Sequence, residues 1–178
     1  TTVFDFIEPV VAALLVITVI FTLFFRIVNV SGPSMMPTLN DGDKIIISAK
    51  GYEPERGDIV VLSGASGMKE TIVKRIIAVG GDKVDINFAT GVVTVNGVEE
   101  EYTNSLTLQQ FDIAFPITVP EGCVFVLGDN RNDSKDSRSL EIGEIDCREI
   151  LGKGILLFFP GNNKGHIQRE FNRIGGLS

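Results

Sequence analysis

The stretch TIVKRIIAVGGDKVDINFATGVVTVNGV, Thr71–Val98, decides the fold. It opens on a run of β-branched side chains, Thr71–Val79, and stops at Gly80-Gly81-Asp82, the composition of a strand running into a turn. Lys83–Ile86 and Gly91–Val98 repeat the pattern at shorter length. Asn96-Gly97 is the dipeptide that suits a tight hairpin, because a type I′ turn needs positive φ at both central residues. Outward from this stretch, Asp58–Ser63 (DIVVLS), Val124–Leu127 and Ile155–Phe159 (ILLFF) read as further short strands. Strands this short and frequent, joined by turn residues, predict an antiparallel sheet system rather than βαβ units. Residues 30–178 show no long amphipathic helix and no internal repeat. Glu99–Thr118 has no clear period and reads as a mobile insertion.

The chain has 178 residues, enough for one ordinary domain with an appendage. Its net charge of −7 makes it a poor partner for nucleic acid phosphates. Two cysteines are too few for a disulfide scaffold, and a single histidine, His166, is too few for a typical zinc cluster. Nothing in the sequence suggests a metal or an organic cofactor. Mean hydropathy is nevertheless positive, at +0.24. The apolar residues must therefore be concentrated somewhere.

They are concentrated at the N-terminus. Pro9–Phe25 reads PVVAALLVITVIFTLFF and carries no charge. Extended to Val28, the run holds twenty residues with Arg26 as its one charge, near the end where a long side chain can snorkel to an interface. At about 1.5 Å per residue, such a helix reaches roughly 30 Å, the thickness of a bilayer's hydrocarbon core. A cleavable signal peptide needs a basic start and small residues at its end, whereas Phe24-Phe25-Arg26 stands here. The expectation is a transmembrane anchor over residues 1–29, spanning about 9–28, followed by a β-domain over 30–178. Asp5 and Glu8 precede the span and Arg26 follows it, so the local charge rule alone would place that domain in the cytoplasm.

Three segments carry chemistry. In SGPSMMPTL, Ser31–Leu39, Pro33 and Pro37 stiffen the backbone around Ser34, either as a plain rigid turn or to present a hydroxyl. In the strand around Lys74, alternation sets the lysine on one face with Ile72, Ile76 and Ala78. Desolvation there lowers an amine's pKa, and a neutral amine can act as general base for a serine hydroxyl. The alternative is an edge lysine that blocks aggregation. Arg75 falls on the opposite face and needs a carboxylate if buried. The third segment, GDNRNDSKDSR (Gly128–Arg138), is a solvated loop, a salt-bridged structural loop, or a cation loop lacking the terminal glutamate of an EF-hand.

Taken together and in this order, the segments resemble those of bacterial type I signal peptidases, membrane-anchored Ser-Lys endopeptidases. SGPSMMPTL is similar to the family's serine box, VKRIIAVGGD (Val73–Asp82) to its lysine box and GDNRNDSKDSR to its C-terminal box, with Asn40-Asp41-Gly42-Asp43 matching a short Gly-Asp element. The resemblance implies a mainly β catalytic domain of the signal-peptidase type behind a single anchor. It implies Ser34 as nucleophile, Lys74 as general base and Ser134 as the hydroxyl that orients the lysine. Arg75 with Asp129, and Asp136 with Arg138, would hold the boxes together. The Ser34 backbone N–H is one oxyanion donor. Where some relatives add a serine hydroxyl, this chain has Gly32, as many Gram-positive members do, which leaves the second donor open.

Val30, Met35, Leu39 and Val73 match positions lining the shallow pockets that select small residues at −1 and −3 of a preprotein. The apolar side chains of Ile155–Phe159 would cover sheet surface or touch lipid. The implied partners are preprotein signal peptides and the bilayer, with the translocation machinery as a further candidate and no nucleic acid. The implied location is the cell membrane, single-pass, with the catalytic domain outside the cytoplasm, a compartment in which Cys123 and Cys147 can pair. Two other readings compete. A self-cleaving Ser-Lys repressor should carry a DNA-binding domain where this chain has an apolar segment. A silent, tethered β-domain has no need of Ser34, Lys74 and Ser134 together.

Overall fold

The structure, a computed structural model, describes residues 3–48, 51–63, 71–161 and 170–177. His166 lies outside them. One helix, α1 (Val3–Phe24), leads into twelve strands among the described residues. These are β1 (Phe25–Asn29), β2 (Lys44–Ser48), β3 (Ile59–Leu62), β4 (Ile72–Val79), β5 (Lys83–Asn87), β6 (Val92–Val95), β7 (Val98–Glu99), β8 (Ile117–Thr118), β9 (Cys123–Leu127), β10 (Ile145–Asp146), β11 (Ile150–Phe159) and β12 (Gly175–Gly176). Every pairing between them is antiparallel, as the turn-punctuated pattern predicts. The larger sheet runs β1-β2-β11-β3-β4-β9-β10, and β12 pairs with β11. The smaller sheet runs β7-β6-β5-β8. Asn96 and Gly97 both take positive φ, 54° and 81°, and make the hairpin between β6 and β7.

The apolar N-terminal run divides. The expected span over 9–28 ends early, because Phe25–Asn29 leaves the helix and pairs residue for residue with β2. The sequence KIIIS of β2 supplies the reason. Its ladder satisfies the β1 backbone, while Ile45 and Ile47 sink into the core. Phe6–Phe24 is left as a 19-residue helix of mean hydropathy 2.5 with none of its span buried against the domain. Thr18 and Thr22 return their hydroxyls to the carbonyls of Leu14 and Thr18, so neither needs an outside partner. By length and composition this helix can cross a bilayer.

Three apolar clusters make the core. One, with Ile45, Ile47, Ile59, Val61 and Leu157, lies under the segment that carries Ser34. A second joins the two sheets through Ile77, Phe125 and Leu127 on one side and Val84, Ile86, Val93 and Val95 on the other. A third packs Val60, Leu62, Ile76, Val124 and Val126 with Ile142 and Ile145. β4 lies between β3 and β9, so Lys74 is not an edge lysine. Val73–Ala78 is buried without a break, so β4 is covered on both faces rather than one. Leu157 is buried and Ile155 exposed, which splits ILLFF between core and surface. Cys123 and Cys147 are free; they lean on the second and third clusters respectively, and burial pushes both thiols up.

Of the stretch Glu99–Thr118, Glu99 belongs to β7 and Ile117–Thr118 form β8, and only residues 100–116 hold no strand. They are nevertheless tied to the C-terminal box rather than hung from the domain. The Arg131 guanidinium, 2% exposed, donates to Glu100 Oε2 (2.7 Å) and Thr107 Oγ1 (3.1 Å). The Asn132 side chain donates to the Leu106 carbonyl and accepts from the backbone N–H groups of Leu108 and Gln109. Arg138 donates to the Gln109 carbonyl and stacks over Phe111. Arg131→Ala leaves Glu100 buried without its partner. The expected result is new cleavage between residues 99 and 112 under limited proteolysis, at protease levels that leave the wild type intact.

Candidate active site

Ser34 heads a tight turn. Met36 N–H donates to the Pro33 carbonyl and Leu39 N–H to the Met35 carbonyl, which winds residues 33–39 into compact, nearly helical loops. Two further bonds fix this turn to the C-terminal box. Asn130 N–H donates to the Ser34 carbonyl (3.0 Å), and the Asn130 amide donates to the Pro33 carbonyl (3.2 Å). The serine is thus placed by a loop whose sequence lies about a hundred residues away.

Lys74 comes from the middle of β4 and is 3% exposed. Its Nζ donates to Ser34 Oγ at 2.7 Å. Burial pushes the ammonium down from 10.5 to about 8; Asp136 and Asp129 pull the other way, and Arg138 adds a smaller downward push. An amine in that range is neutral often enough near neutral pH to take a proton from the hydroxyl it touches.

Two buried ion pairs frame the pair. Arg75 forks onto Asp129 with bonds of 2.9 and 2.8 Å, and also donates to the Gly57 carbonyl. Asp129 accepts in addition from Thr38 Oγ1 at 2.5 Å, joining the serine turn to the strand that bears Lys74. Arg138 forks onto Asp136, which in turn accepts from Gly128 N–H. All four side chains are 5% exposed or less. The salt-bridged reading of GDNRNDSKDSR is therefore the one realised, and no cluster suited to a metal occurs among the described residues.

Gly128 sits where these parts converge. A β-carbon there would lie 2.2 Å from Ser134 Oγ and 2.4 Å from the Ser34 carbonyl oxygen. Ser134 is thereby brought against the serine turn, 5% exposed, but among the described residues its hydroxyl has no hydrogen-bond partner, Lys74 included. Gly32 has φ +84°, and nothing lies within 4 Å of the position a side chain would occupy. Its N–H is taken by Asp41 Oδ1 at 2.8 Å, which removes it as an oxyanion donor in this geometry. Val30, Met35, Leu39 and Val73 all belong to the cluster beneath the turn; Met35 and Leu39 have no exposed surface, Val30 has 2% and Val73 has 8%.

Asp43, Thr38 and Gly128 stand inside motifs visible in the sequence, but the sequence alone assigns no role to any of them. Asp43 is fully buried and accepts from Arg173, a residue 130 positions away, and Thr38 donates its hydroxyl to Asp129 while its carbonyl accepts from Arg173. Gly128 opens the C-terminal box but differs from its neighbours only in lacking a side chain. The Gly42-Asp43 dipeptide was the one visible hint of the first group.

The family described as "Signal peptidase, peptidase S26" matches residues 3–159. A signal peptidase I of Bacillus licheniformis is 32% identical over 169 residues, covering 89% of this chain and 90% of its own length. Signal peptidase I T of Bacillus subtilis is 34% identical, covering 87% and 84%, and signal peptidase IB of Staphylococcus aureus is 35% identical, covering 78% and 80%. A crystal structure of a signal peptidase I from Enterococcus faecalis is 28% identical with a TM-score of 0.48, covering 58% of this chain and 98% of that one. The chain belongs to the peptidase S26 family of signal peptidases and is a serine endopeptidase of the signal peptidase I type.

Gly128→Ala tests the convergence. The Ser134 hydroxyl can rotate away from the new methyl, but the Ser134 β-carbon, 2.5 Å away, and the Ser34 carbonyl, which is backbone, have to move. The expected result is a loss of turnover of about 10- to 100-fold, as for other small displacements of reacting groups, in a chain that still folds.

Proposed function

We propose that Ser34 and Lys74 are the catalytic pair with which this membrane-associated enzyme removes signal peptides from preproteins. The 2.7 Å contact between Lys74 Nζ and Ser34 Oγ, made by an amine that burial brings down to about 8, carries this reading. In the first step neutral Lys74 accepts the Ser34 proton while Oγ attacks the scissile carbonyl. The tetrahedral oxyanion then collapses to an ester on Ser34. The C–N bond breaks, and Lys74 returns its proton to the amine of the departing mature chain. In the second step Lys74 takes a proton from water. The resulting hydroxide attacks the ester, and Ser34 regains its hydrogen through Lys74 as the signal peptide leaves.

The Ser34 backbone N–H is the proposed oxyanion donor. Ser134 is the proposed partner of Lys74 once the serine is acylated; its buried, unpaired hydroxyl supports that role, since such groups are usually satisfied. Arg75, Asp129, Asp136 and Arg138 hold the geometry. The substrate backbone approaches over Gly32, where a side chain would stand in open space. The floor against which small residues at −1 and −3 pack is the little surface that Val30 and Val73 leave open, and Met35 and Leu39, packed completely beneath, leave no depth for larger ones.

The proposed placement is single-pass, with α1 in the bilayer and the β-domain on the outer face. Ser34 follows the end of α1 by ten residues, which suits a substrate whose scissile bond emerges at the membrane surface. The acidic β-domain gives nucleic acid phosphates no footing, and the translocation machinery that delivers preproteins is the natural neighbour.

Purified full-length protein in detergent, given a preprotein, tests the pair. Ser34→Ala and Lys74→Ala should each lower processing by roughly 10²- to 10⁴-fold. Below about 8 Lys74 is charged and cannot accept a proton, so kcat/KM should rise tenfold per pH unit in the acidic range and level off above about 8. Wild-type rates in either variant, or a flat profile from about pH 5 to about pH 8, contradict the reading.

A further inference from the structure

Arg173 lies beyond residues 3–159, the part of the chain that the family description matches. It ends the short 3-10 turn Phe171–Arg173, directly before β12 returns along β11. Its guanidinium, 17% exposed, reaches back across the domain to Asp43, which is wholly buried. Nη2 donates to Asp43 Oδ2 at 2.7 Å and Nη1 to Oδ1 at 3.1 Å. The other acceptor positions of Asp43 are filled by Asn40 N–H (2.8 Å) and Gly161 N–H (2.7 Å). Arg173 Nη2 has one more bond, to the Thr38 carbonyl at 3.1 Å. Thr38 is four residues from Ser34 on the same turn, and its hydroxyl is held by Asp129. The turn is thus gripped at a single residue from two sides, by the Arg75–Asp129 pair at the side chain and by the Asp43–Arg173 pair at the carbonyl.

We infer that Arg173 is a positioning residue for the serine turn, so that the C-terminal segment beyond residues 3–159 takes part in setting Ser34 against Lys74. The inference rests on the Ser34–Lys74 reading given above. Planar bidentate geometry explains why arginine stands here: one nitrogen serves both a carboxylate oxygen and a backbone carbonyl while the other completes the fork. Gly161 has a matching role. A β-carbon at that position would lie 2.3 Å from the Asp41 carbonyl oxygen, so the glycine lets its N–H reach Asp43. Without Arg173 the Thr38 carbonyl loses its donor and Asp43 keeps an uncompensated charge. The far end of the turn then keeps only the tie of the Thr38 hydroxyl to Asp129 while Asn130 holds the near end, and the turn relaxes between them so that the hydroxyl drifts from the amine.

Arg173→Gln, Arg173→Lys and Ser34→Ala are compared in full-length protein in detergent, with the folded fraction of each sample measured by circular dichroism at the assay temperature. For Arg173→Gln the expected result, per folded molecule, is a fall in kcat of about 10- to 100-fold with KM within about twofold, because Val30 and Val73, which carry the floor's exposed surface, lie outside the displaced turn. The midpoint of the pH–rate profile should also move upward, since an amine released from the hydroxyl gains water. Arg173→Lys keeps a cation on Asp43 but gives up the fork, and should recover part of the lost kcat. If Arg173→Gln folds too poorly to assay, the same split in Arg173→Lys decides. Wild-type kcat and midpoint per folded molecule, with only the folded fraction reduced, would make Arg173 a purely structural tie and overturn the inference. Full turnover by Ser34→Ala would overturn the catalytic reading itself, whatever Arg173 does. An inactive Ser34→Ala beside a wild-type-like Arg173→Gln would remove this inference alone.

Discussion

A lysine ammonium is strongly hydrated, and the fold takes Lys74 out of water against that preference. The burial that lowers its pKa to about 8 is an energetic cost, because the charged form is no longer favoured as it is in solvent. At neutral pH that cost persists in the folded state and is relieved as pH rises toward 10.5, the ordinary value of the group. Much of the surrounding structure follows from keeping the amine dry and beside one hydroxyl. β4 is an inner strand covered on both faces, and the serine turn closes over the lysine's end. Among the described residues no acidic side chain bonds to the lysine directly, and so none fixes its proton. The carboxylates of Asp129 and Asp136 are instead matched by Arg75 and Arg138.

Those ion pairs are best understood as placement devices. A buried pair seldom adds much to stability over an apolar substitute, yet removing one partner leaves an unpaired charge that costs about 3–5 kcal/mol. Such a bond is therefore hard to shift by a fraction, which suits a site where small displacements matter. The Arg75–Asp129 pair ties β4 to the serine turn through Thr38. The Asp136–Arg138 pair shapes the loop that holds Ser134, and Asn130 in the same box bonds the turn's own carbonyls. Three segments far apart in sequence, the serine turn, β4 and the C-terminal box, thus meet at Ser34.

Much of this was legible beforehand. Thr71–Val98 announced its strands through β-branched runs and its hairpin through Asn96-Gly97, since local chemistry dictates both. The carboxylate that Arg75 requires was foreseeable from its place opposite Lys74 on a strand. Other features depend on tertiary contacts. Phe25–Asn29 continues an apolar run without a break, and only pairing with Lys44–Ser48 ends the helix at Phe24. Met35 and Leu39 match pocket-lining positions by resemblance, whereas the fold packs both completely. Ser134 was expected to bond Lys74, and in this geometry its hydroxyl is buried alone. The grip of Arg173 on Asp43 leaves no trace in any local pattern.

The account depends most on the protonation of one amine. The direct measurement is a titration of Lys74 itself, following the 13Cε resonance of isotope-labelled lysine in the full-length protein in detergent, assigned by its loss in Lys74→Ala. The account predicts a midpoint near about 8. A midpoint at 10.5, the ordinary lysine value, would mean a fully charged ammonium beside Ser34 and contradict its role as the base.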